Sequence, residues 1–202
     1  MYKLYTIGHS THSGEEFVGL LSMHSVSAVC DVRSSPYSKF NPQFNKEIIR
    51  DELKRHCIAY VFLGKELGPR SDDSGCYDEG RIRYDRLAAT ELFQQGLERL
   101  RKGMVNYRVA LMCAEKDPLT CHRTILICRN LRSEDIEISH ILEDGKLENN
   151  QDTEKRLMDM LKIPRAELFD SEEDLVQRAY DRQSQKIAYV KKITGDSENS
   201  EV

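Results

Sequence analysis

The chain lacks any apolar run that approaches the roughly 20 residues of a membrane-spanning helix. Residues 1–10 lack the basic and apolar regions of a signal peptide, and no internal repeat or low-complexity tract is present. An excess of positive charge is also missing, since the formal net charge is -4 and the sequence pI is about 5.9. We therefore expect a cytoplasmic protein without membrane contact, in which nucleic-acid binding would need a local basic patch.

The cysteines do not form the disulfide framework typical of small secreted proteins. They are scattered along the chain as Cys30, Cys57, Cys76, Cys113, Cys121 and Cys128. Without a secretory context they are better interpreted as thiols. The length of 202 residues and a hydrophobic content of 39% suit a single domain with a substantial core, because domains commonly span about 50 to 250 residues.

Alternating strand and helix patterns predict the fold. Short apolar runs predict strands at residues 2–7, 26–32, 58–63, 108–112 and 136–142, and helical spacing predicts helices at 13–23, 45–56, 85–102, 120–131, 154–161 and 172–190. Parallel neighbours need crossover connections, which helices usually supply. The sequence therefore predicts a single three-layer α/β domain with a mostly parallel sheet of about five strands, helices on both faces and a C-terminal helical extension.

The predicted boundaries are an α/β domain at residues 1–170, a helix at 171–192 packed on it, and a flexible polar tail at 193–202. Glycine, proline and charged residues predict one long loop at 64–83, which is typical of a functional or disordered segment. The apolar stripe of the last helix could also serve a homodimer, although packing onto its own domain explains the stripe equally well.

Polar residues follow the predicted strands at their carboxyl ends. His9 and Ser10 come after the first strand, Asp31 and Arg33 close the second, and Cys113 closes the fourth. In open α/β sheets ligands bind in the crevice outside these ends. We therefore expect one polar site there, completed by the segment at 113–123.

Each of these residues has a predicted role. The predicted catalytic residues are His9, Asp31, Cys113, Glu115 and Cys121, and the predicted substrate-binding residues are Ser10, Arg33, His122 and Arg123. Asp31 and Glu115 could be paired carboxylates that divide acid and base roles. The structural alternative is that Asp31 forms an ion pair with Arg33, and Glu115 with Arg123.

The activation of Cys121 depends on where the helix at 120–131 begins. If Thr120 is the N-cap, Cys121 lies in the first turn, where free N–H groups favour a thiolate. If Asp117 is the cap and Pro118 the first helical residue, Cys121 moves to the second turn and this activation weakens. Burial on a helix face together with Cys128 is the third alternative.

Zinc ligands are present, but not at the usual spacing. Cys113, Cys121, His122 and His9 could bind a metal, and the two cysteines could form a redox site. No pair has the familiar ligand spacing of about two to four residues. We therefore assign no metal and no cofactor.

Cationic residues in or beside the predicted loops could form an anion-binding rim. They are Arg33, Lys39, Lys65, Arg70, Arg81, Arg83 and Arg123, and they are interleaved with Tyr37, Phe40, Tyr77 and Tyr84. Arginine binds phosphate and carboxylate well, and aromatic rings stack on bases. An ordinary solvated surface is the alternative.

The same polar segments carry a family resemblance. They are Thr6–Ser10, Asp31–Arg33 with Pro36, Leu67–Gly68, Cys113–Glu115 followed by Cys121–Arg123, and the final helix at 179–189. In these segments, and over most of its length, the chain resembles domain of unknown function family 488. The resemblance implies a small α/β protein whose matched polar residues form one site, and it implies no particular reaction.

The leading functional hypothesis is an enzyme, a hydrolase or transferase, that acts on an anionic small molecule such as a nucleotide or a nucleic-acid-derived substrate. The first alternative is a non-catalytic module that binds phosphate or nucleic acid at the same edge. The second alternative is a metal or redox site that uses Cys113 and Cys121.

Overall fold

The computed structural model describes residues 2–132 and 134–191. Its strands are β1 (Tyr2–Gly8), β2 (Ala28–Asp31), β3 (Ala59–Phe62), β4 (Tyr77–Asp78), β5 (Arg81–Ile82), β6 (Val109–Cys113), β7 (Ile136–Ile141) and β8 (Leu147–Asn149). Six of them form one sheet in the order β3-β2-β6-β1-β7-β8, in which only β8 is antiparallel to its neighbour. The predicted α/β fold with a mostly parallel sheet is confirmed, with six strands instead of five because the three-residue β8 is too short to show a strand pattern.

The helices are α1 (Gly14–Met23), α2 (Lys46–Arg55), α3 (Tyr84–Ala88), α4 (Glu91–Asn106), α5 (Arg129–Leu131), α6 (Asn150–Leu161) and α7 (Glu172–Ile187). Ser13 and Ser171 begin α1 and α7 with capping boxes, in which a serine and an acidic side chain satisfy each other's backbone N–H groups. The helix predicted at 85–102 is divided into α3 and α4. The division occurs at Thr90, whose extended backbone and side-chain bond to the N–H of Phe93 start a new helix.

Two hydrophobic cores lie on opposite faces of the sheet. Ala110 and Met112 of β6 face the core formed with α1 and α2, whereas Leu111 and Cys113 face the core formed with α4, α6 and α7. This alternation follows from the two-residue repeat of a strand. Cys113 is thereby directed toward the helical segment that carries Cys121.

The predicted loop at 64–83 contains the β4–β5 hairpin, which sequence could not indicate because each strand is two residues long. The hairpin is tied to the chain after α7. The N–H of Ile82 donates to the carbonyl of Tyr189 over 2.9 Å, and the N–H of Lys191 donates to Gly80 over 2.8 Å. The end of the described chain therefore acts as a third strand beside the hairpin.

The apolar stripe of α7 lies in the core beside α6 and is thus buried within its own chain. The predicted tail at 193–202 falls outside the described residues. Within the described ranges, no helix has both the length and the apolar character that a membrane crossing requires.

Candidate functional site

The carboxyl ends of β1, β2 and β6 meet at one edge of the sheet. Gly8 is in register with Cys113, and Asp31 with Met112, so the residues that follow these strands lie side by side. The N–H of His9 donates to the carbonyl of Cys113 over 2.9 Å. The sheet therefore brings the predicted segments together as the crevice rule requires.

Gly8 allows two backbones to approach closely at this edge. A Cβ atom added to Gly8 would lie 1.9 Å from the carbonyl oxygen of Glu115, a distance that no real side chain tolerates. The segment after β6 thus crosses directly over the end of β1. The close crossing of these two segments therefore requires a residue without a side chain at position 8.

Four ligand-type side chains converge after β6, and we call Cys113, Glu115, Cys121 and His122 the thiol cluster. Both sulfur atoms lie 3.0 Å from Oε2 of Glu115. Nδ1 of His122 lies 3.6 Å from Sγ of Cys113 and 3.8 Å from Sγ of Cys121. The four donor atoms lie within 4.8 Å of one another, close enough to hold a metal ion.

Burial differs across the thiol cluster. Cys113, Cys121 and His122 are buried, whereas Glu115 is exposed on the outer side with one carboxylate oxygen turned inward. Nε2 of His122 donates to the carbonyl oxygen of Val32 over 3.0 Å, since a carbonyl can only accept. In the neutral ring this leaves the lone pair of Nδ1 directed at the two sulfurs.

Cys121 does not lie in the first turn of an α-helix. The side chain of Asp117 accepts from the N–H of Leu119 and caps a 3-10 turn at Pro118–Thr120. Of the two alternative caps, the structure therefore has the one at Asp117. Cys121 follows with an extended backbone. A π-helical segment, Arg123–Cys128, then leads into α5. Such wide turns are rare and occur frequently at functional sites.

Arg123 is completely buried and supplies the positive charge that a helix terminus would otherwise provide. Its guanidinium donates to the carbonyls of Glu115 over 2.6 Å and Lys116 over 3.1 Å, and to the hydroxyl of Thr6 over 3.3 Å. It has no carboxylate partner among the described residues. Arg123 therefore fixes the segment after β6, and its charge remains to act on the thiols.

The thiols differ in their acidity. Burial opposes ionisation of Cys121, but the hydrogen bond from Cys113 and the charge of Arg123 outweigh it and lower the pKa of Cys121 well below its usual range. Burial raises the pKa of Cys113, and the nearby Cys121 raises it further. Burial and the charge of Cys121 also raise the pKa of Glu115. The site thus favours one thiolate beside groups that hold protons.

The predicted partners Asp31 and Arg33 form a second, separate network. The guanidinium of Arg33 donates to both carboxylate oxygens of Asp31 over 2.9 and 2.6 Å, and to the carbonyl of Phe44 over 2.8 Å. Tyr60 donates to Asp31 over 2.8 Å. Asp31 therefore forms the ion pair given above as its alternative role, and its carboxylate is bound to Arg33 and Tyr60 rather than to Glu115.

His9 belongs to the same network. Nδ1 donates to the carbonyl of Ser10 over 3.0 Å, Nε2 accepts from Arg33 over 3.2 Å, and the ring stacks on Phe44. Burial and the charge of Arg33 lower the pKa of His9 to about 4. Ser10 has a left-handed backbone, with φ of 47°, and its N–H donates to Ala114. These residues support the sheet edge, and His9 is a neutral ring with both nitrogens engaged.

A family model covers the thiol cluster together with Asp31, Arg33 and Tyr60 of the second network, whereas His9 and Ser10 precede the matched range. It is the model for the domain of unknown function DUF488, and it matches residues 13–129, more than half of the 202-residue chain. The chain belongs to the DUF488 family. The DUF488 match includes the whole thiol cluster and confirms the resemblance, whereas β1 and α7 lie outside it. No curated protein and no solved structure matches the chain significantly.

Several residues of this DUF488 chain support the site without having been predicted. The hydroxyl of Thr6, which accepts from Arg123, donates to Nδ1 of His140 over 2.8 Å. His140 donates to Asn150 over 3.2 Å, and Asn150 to Glu154 over 2.6 Å. This buried chain connects Arg123 to α6. It joins residues over 100 positions apart, so no local pattern could reveal it.

Tyr84, predicted only as a residue of the rim, lies near the thiol cluster. It is buried at the start of α3, where burial and the negative charge of Cys121 raise the pKa of its hydroxyl. Tyr84 lines a different cavity from the one beside Glu115, together with Ile125 and Arg129.

The outer side of the thiol cluster opens into a cleft of about 840 Å³. The lining residues are Glu115, Lys116, Asp117, Pro118, Thr120, Leu142, Glu143, Asp144, Glu148 and Arg156. Lys116 pairs with Glu143, and Arg156 pairs with Asp117 and Glu148. Glu115 is the residue that belongs both to the cleft and to the cluster.

Proposed function

We propose that the protein is an enzyme, a hydrolase or transferase, whose centre is a divalent metal site of the zinc type at the thiol cluster. The observation that carries the proposal is the convergence of two sulfurs, an imidazole nitrogen and a carboxylate oxygen on one point. Thiolate, imidazole and carboxylate are the ligands that zinc takes in proteins. The long spacing of the ligands in sequence is overcome by the turn at Pro118–Thr120.

The distances from His122 to the two sulfurs are compatible with a tetrahedral site, whereas the two sulfur–oxygen contacts of 3.0 Å would have to lengthen around a metal. Zinc bonds of about 2.3 Å to sulfur and about 2.0 Å to nitrogen imply a sulfur–nitrogen edge of roughly 3.5 Å in a tetrahedron. The two edges from His122 to Cys113 and Cys121 are 3.6 and 3.8 Å. His9, included in the metal hypothesis above, is bound to Arg33 instead, and Glu115 takes the fourth position.

The charges also favour a dication. Two thiol groups and a carboxylate share contacts of 3.0 Å, where their ionised forms would repel one another. A divalent cation would allow all three to ionise together. The hydrogen bond from His122 to Val32 is the type of outer contact that orients a metal-bound imidazole.

Glu115 gives the site its catalytic character in this proposal. The other three ligands are buried, so Glu115 is the one that water or substrate can displace from the cleft side. Three protein ligands with an open fourth position are typical of catalytic zinc, which lowers the pKa of bound water. The displaced carboxylate would then accept the proton of that water as a general base.

We propose an anionic substrate, and the metal would be the group that binds its negative charge. Arg33 and Arg123 are directed at protein acceptors, and the cleft cations Lys116 and Arg156 are paired. An anionic oxygen would therefore be held by the metal in place of Glu115.

Metal analysis of the purified full chain tests the centre. We expect about one equivalent of bound zinc per chain. After exchange of zinc for cobalt, we expect the absorption bands that cobalt shows with thiolate ligands. The variants Cys113→Ser and Cys121→Ser should lose both the bound zinc and the cobalt absorption. Cys128→Ser is the matched control, since Cys128 is equally buried on the same face. Absence of metal and of cobalt absorption in the wild-type chain would refute the centre. A reversible Cys113–Cys121 disulfide in that metal-free protein would then favour the redox alternative.

Hydrolysis of 4-nitrophenyl acetate and bis(4-nitrophenyl) phosphate tests the catalytic part. We expect turnover that requires metal and falls by about 10²- to 10⁴-fold in Glu115→Gln at equal metal content, because a general base contributes about that much. Equal turnover in both proteins would contradict the role of Glu115. Unfolding on chelation without any turnover would show a structural metal instead.

A further inference from the structure

The arginines of the described residues divide into paired and unpaired groups. Most form ion pairs with carboxylates, such as Arg101 with Glu134 over 2.6 Å. Arg108 and the buried Arg123 donate to backbone carbonyls and have no carboxylate partner in the described ranges. The same ranges hold four further arginines without a carboxylate partner, which are Arg70, Arg81, Arg86 and Arg182. All four lie around the β4–β5 hairpin. A concentration of uncompensated cations on a chain of net charge -4 indicates a site for an anionic partner.

Two of these arginines line a groove between the hairpin and the end of α7, which we call the basic groove. Its volume is about 670 Å³, and its lining residues are Asp78, Glu79, Arg81, Arg83, Leu161, Arg182, Gln185, Lys186 and Val190. Asp78 is paired with Arg83. Among the other lining residues, Arg81, Arg182 and Lys186 are cations and Glu79 is the one anion. The basic groove therefore has an excess of positive charge.

The basic groove is held in shape by defined contacts. Arg81 donates to the carbonyl of Gln185 near the end of α7 over 2.6 Å, which ties the hairpin to the helix. Arg86 donates to the carbonyls of Gly75 and Tyr77 over 3.2 and 3.0 Å. With the strand-like pairing of residues 189–191, these bonds fix both walls. The hairpin and the end of α7 are therefore joined by hydrogen bonds on both sides of the groove.

Aromatic rings lie on the other face of the hairpin, where Tyr77 and Tyr189 pack against the hydrophobic core. The guanidinium of Arg70 lies 4.2 Å from the ring centre of Tyr189, and Nζ of Lys191 lies 4.1 Å from that of Tyr77. Cations that follow a groove are one element of single-stranded nucleic-acid sites, because the phosphates of the strand follow the groove. Phosphates would pair with the unpaired cations, and bases can stack on exposed guanidinium planes.

We propose that the basic groove binds a single strand of nucleic acid. A single phosphate would need only one of these cations, whereas a strand would use several along the groove. The site is distinct from the thiol cluster and needs no metal. It gives the protein a binding surface for a polyanion that its overall charge would not provide.

Fluorescence anisotropy with the full chain and labelled oligothymidylate of about 20 nucleotides tests this inference. The test variant is Arg182→Ala with Lys186→Ala. The control is Arg50→Ala with Lys54→Ala, which removes the same charges from the exposed face of α2. We expect the test variant to weaken binding by about 10-fold or more and to reduce the slope of log K against log salt by about 1.4, or 0.7 per lost contact.

Three results would overturn the proposal: no binding at low salt, equal weakening in both double variants, or equal affinity for a duplex of the same length. Cys121→Ser separates this inference from the metal centre. We expect this variant to bind the strand as tightly as the wild-type chain even though it loses metal. Loss of strand binding in Cys121→Ser would contradict a site independent of the thiol cluster.

Discussion

The imidazole of His122 donates from Nε2 to the carbonyl oxygen of Val32 over 3.0 Å, which fixes the ring with Nδ1 toward the sulfurs of Cys113 and Cys121. The acceptor belongs to the residue after β2, whereas His122 follows the turn after β6. The position of Nδ1 is thus set by an adjacent strand of the sheet, and the proposed metal site is tied to the fold itself.

Replacing His122 with Gln should weaken zinc binding by more than about 100-fold, since loss of even an outer-shell partner costs about 10- to 100-fold. The measurement is competition with a chromophoric chelator at constant pH. His56→Gln serves as the control, because His56 is exposed after α2 and far from the cluster in the fold. Equal affinities for the two variants would remove His122 from the ligand set.

Iodoacetamide labelling should distinguish the cysteines by their environment. The exposed Cys57 should react in all conditions, and the buried Cys128 in none. Cys121 should react at neutral pH only after chelation, because the hydrogen bond from Cys113 and the charge of Arg123 lower its pKa. Cys113 should react much more slowly than Cys121, because burial raises its pKa. Mass spectrometry of the peptides gives each rate. Rapid labelling of Cys121 before chelation would favour a free nucleophilic thiolate over a metal ligand.

Gly8→Ala should disrupt the site without touching a ligand. The new Cβ would lie 1.9 Å from the Glu115 carbonyl that accepts from Arg123, so the segment after β6 must move. We expect loss of bound metal and a decrease of about 1–3 kcal/mol in the free energy of unfolding. Gly19→Ala, in open space on α1, should retain metal and gain about 0.5–1 kcal/mol. Retained metal in Gly8→Ala would contradict the close approach.

The sequence predicted the sheet, most helices and the edge at which the polar residues meet, because these depend on local periodicity and on strand ends. It did not predict the partition of the polar residues into two networks, since hydrogen bonds such as Arg123 to Thr6 depend on tertiary packing. The assignment of no metal relied on ligand spacing. The turn at Pro118–Thr120 brings Cys121 back to Cys113. The separation of these two cysteines in sequence is longer than the ligand spacing of familiar zinc motifs.

Asp31→Asn should destabilise the fold strongly. It leaves the buried Arg33 without its only carboxylate partner in the described residues, and breaking a buried ion pair costs about 3–5 kcal/mol. Urea unfolding followed by circular dichroism measures the change. The control is Asp51→Asn, which removes an exposed carboxylate paired with Arg50 and should change stability by less than about 0.5 kcal/mol. Similar effects of the two substitutions would show that the Asp31–Arg33 pair contributes little.

Stability should fall in mild acid because His140 stays neutral in the folded protein. Burial and the charge of Arg123 lower the pKa of His140 to about 3, whereas an unfolded histidine titrates near 6.5. The unfolded chain therefore binds a proton below pH 6.5 that the folded chain does not, so stability decreases as the pH falls from 6.5 toward 3. At pH 5 this contribution is about 2 kcal/mol relative to pH 8.

The variant His140→Gln isolates this contribution, since a glutamine amide can accept from Thr6 and donate to Asn150 but does not titrate. Carboxylates elsewhere titrate alike in both proteins, so they cancel in the difference. We expect the loss of unfolding free energy between pH 8 and pH 5 to be smaller in His140→Gln by about 2 kcal/mol. Equal losses in the two proteins would mean that His140 is protonated in the folded state, and that the chain from Arg123 to Glu154 has a different hydrogen-bond direction.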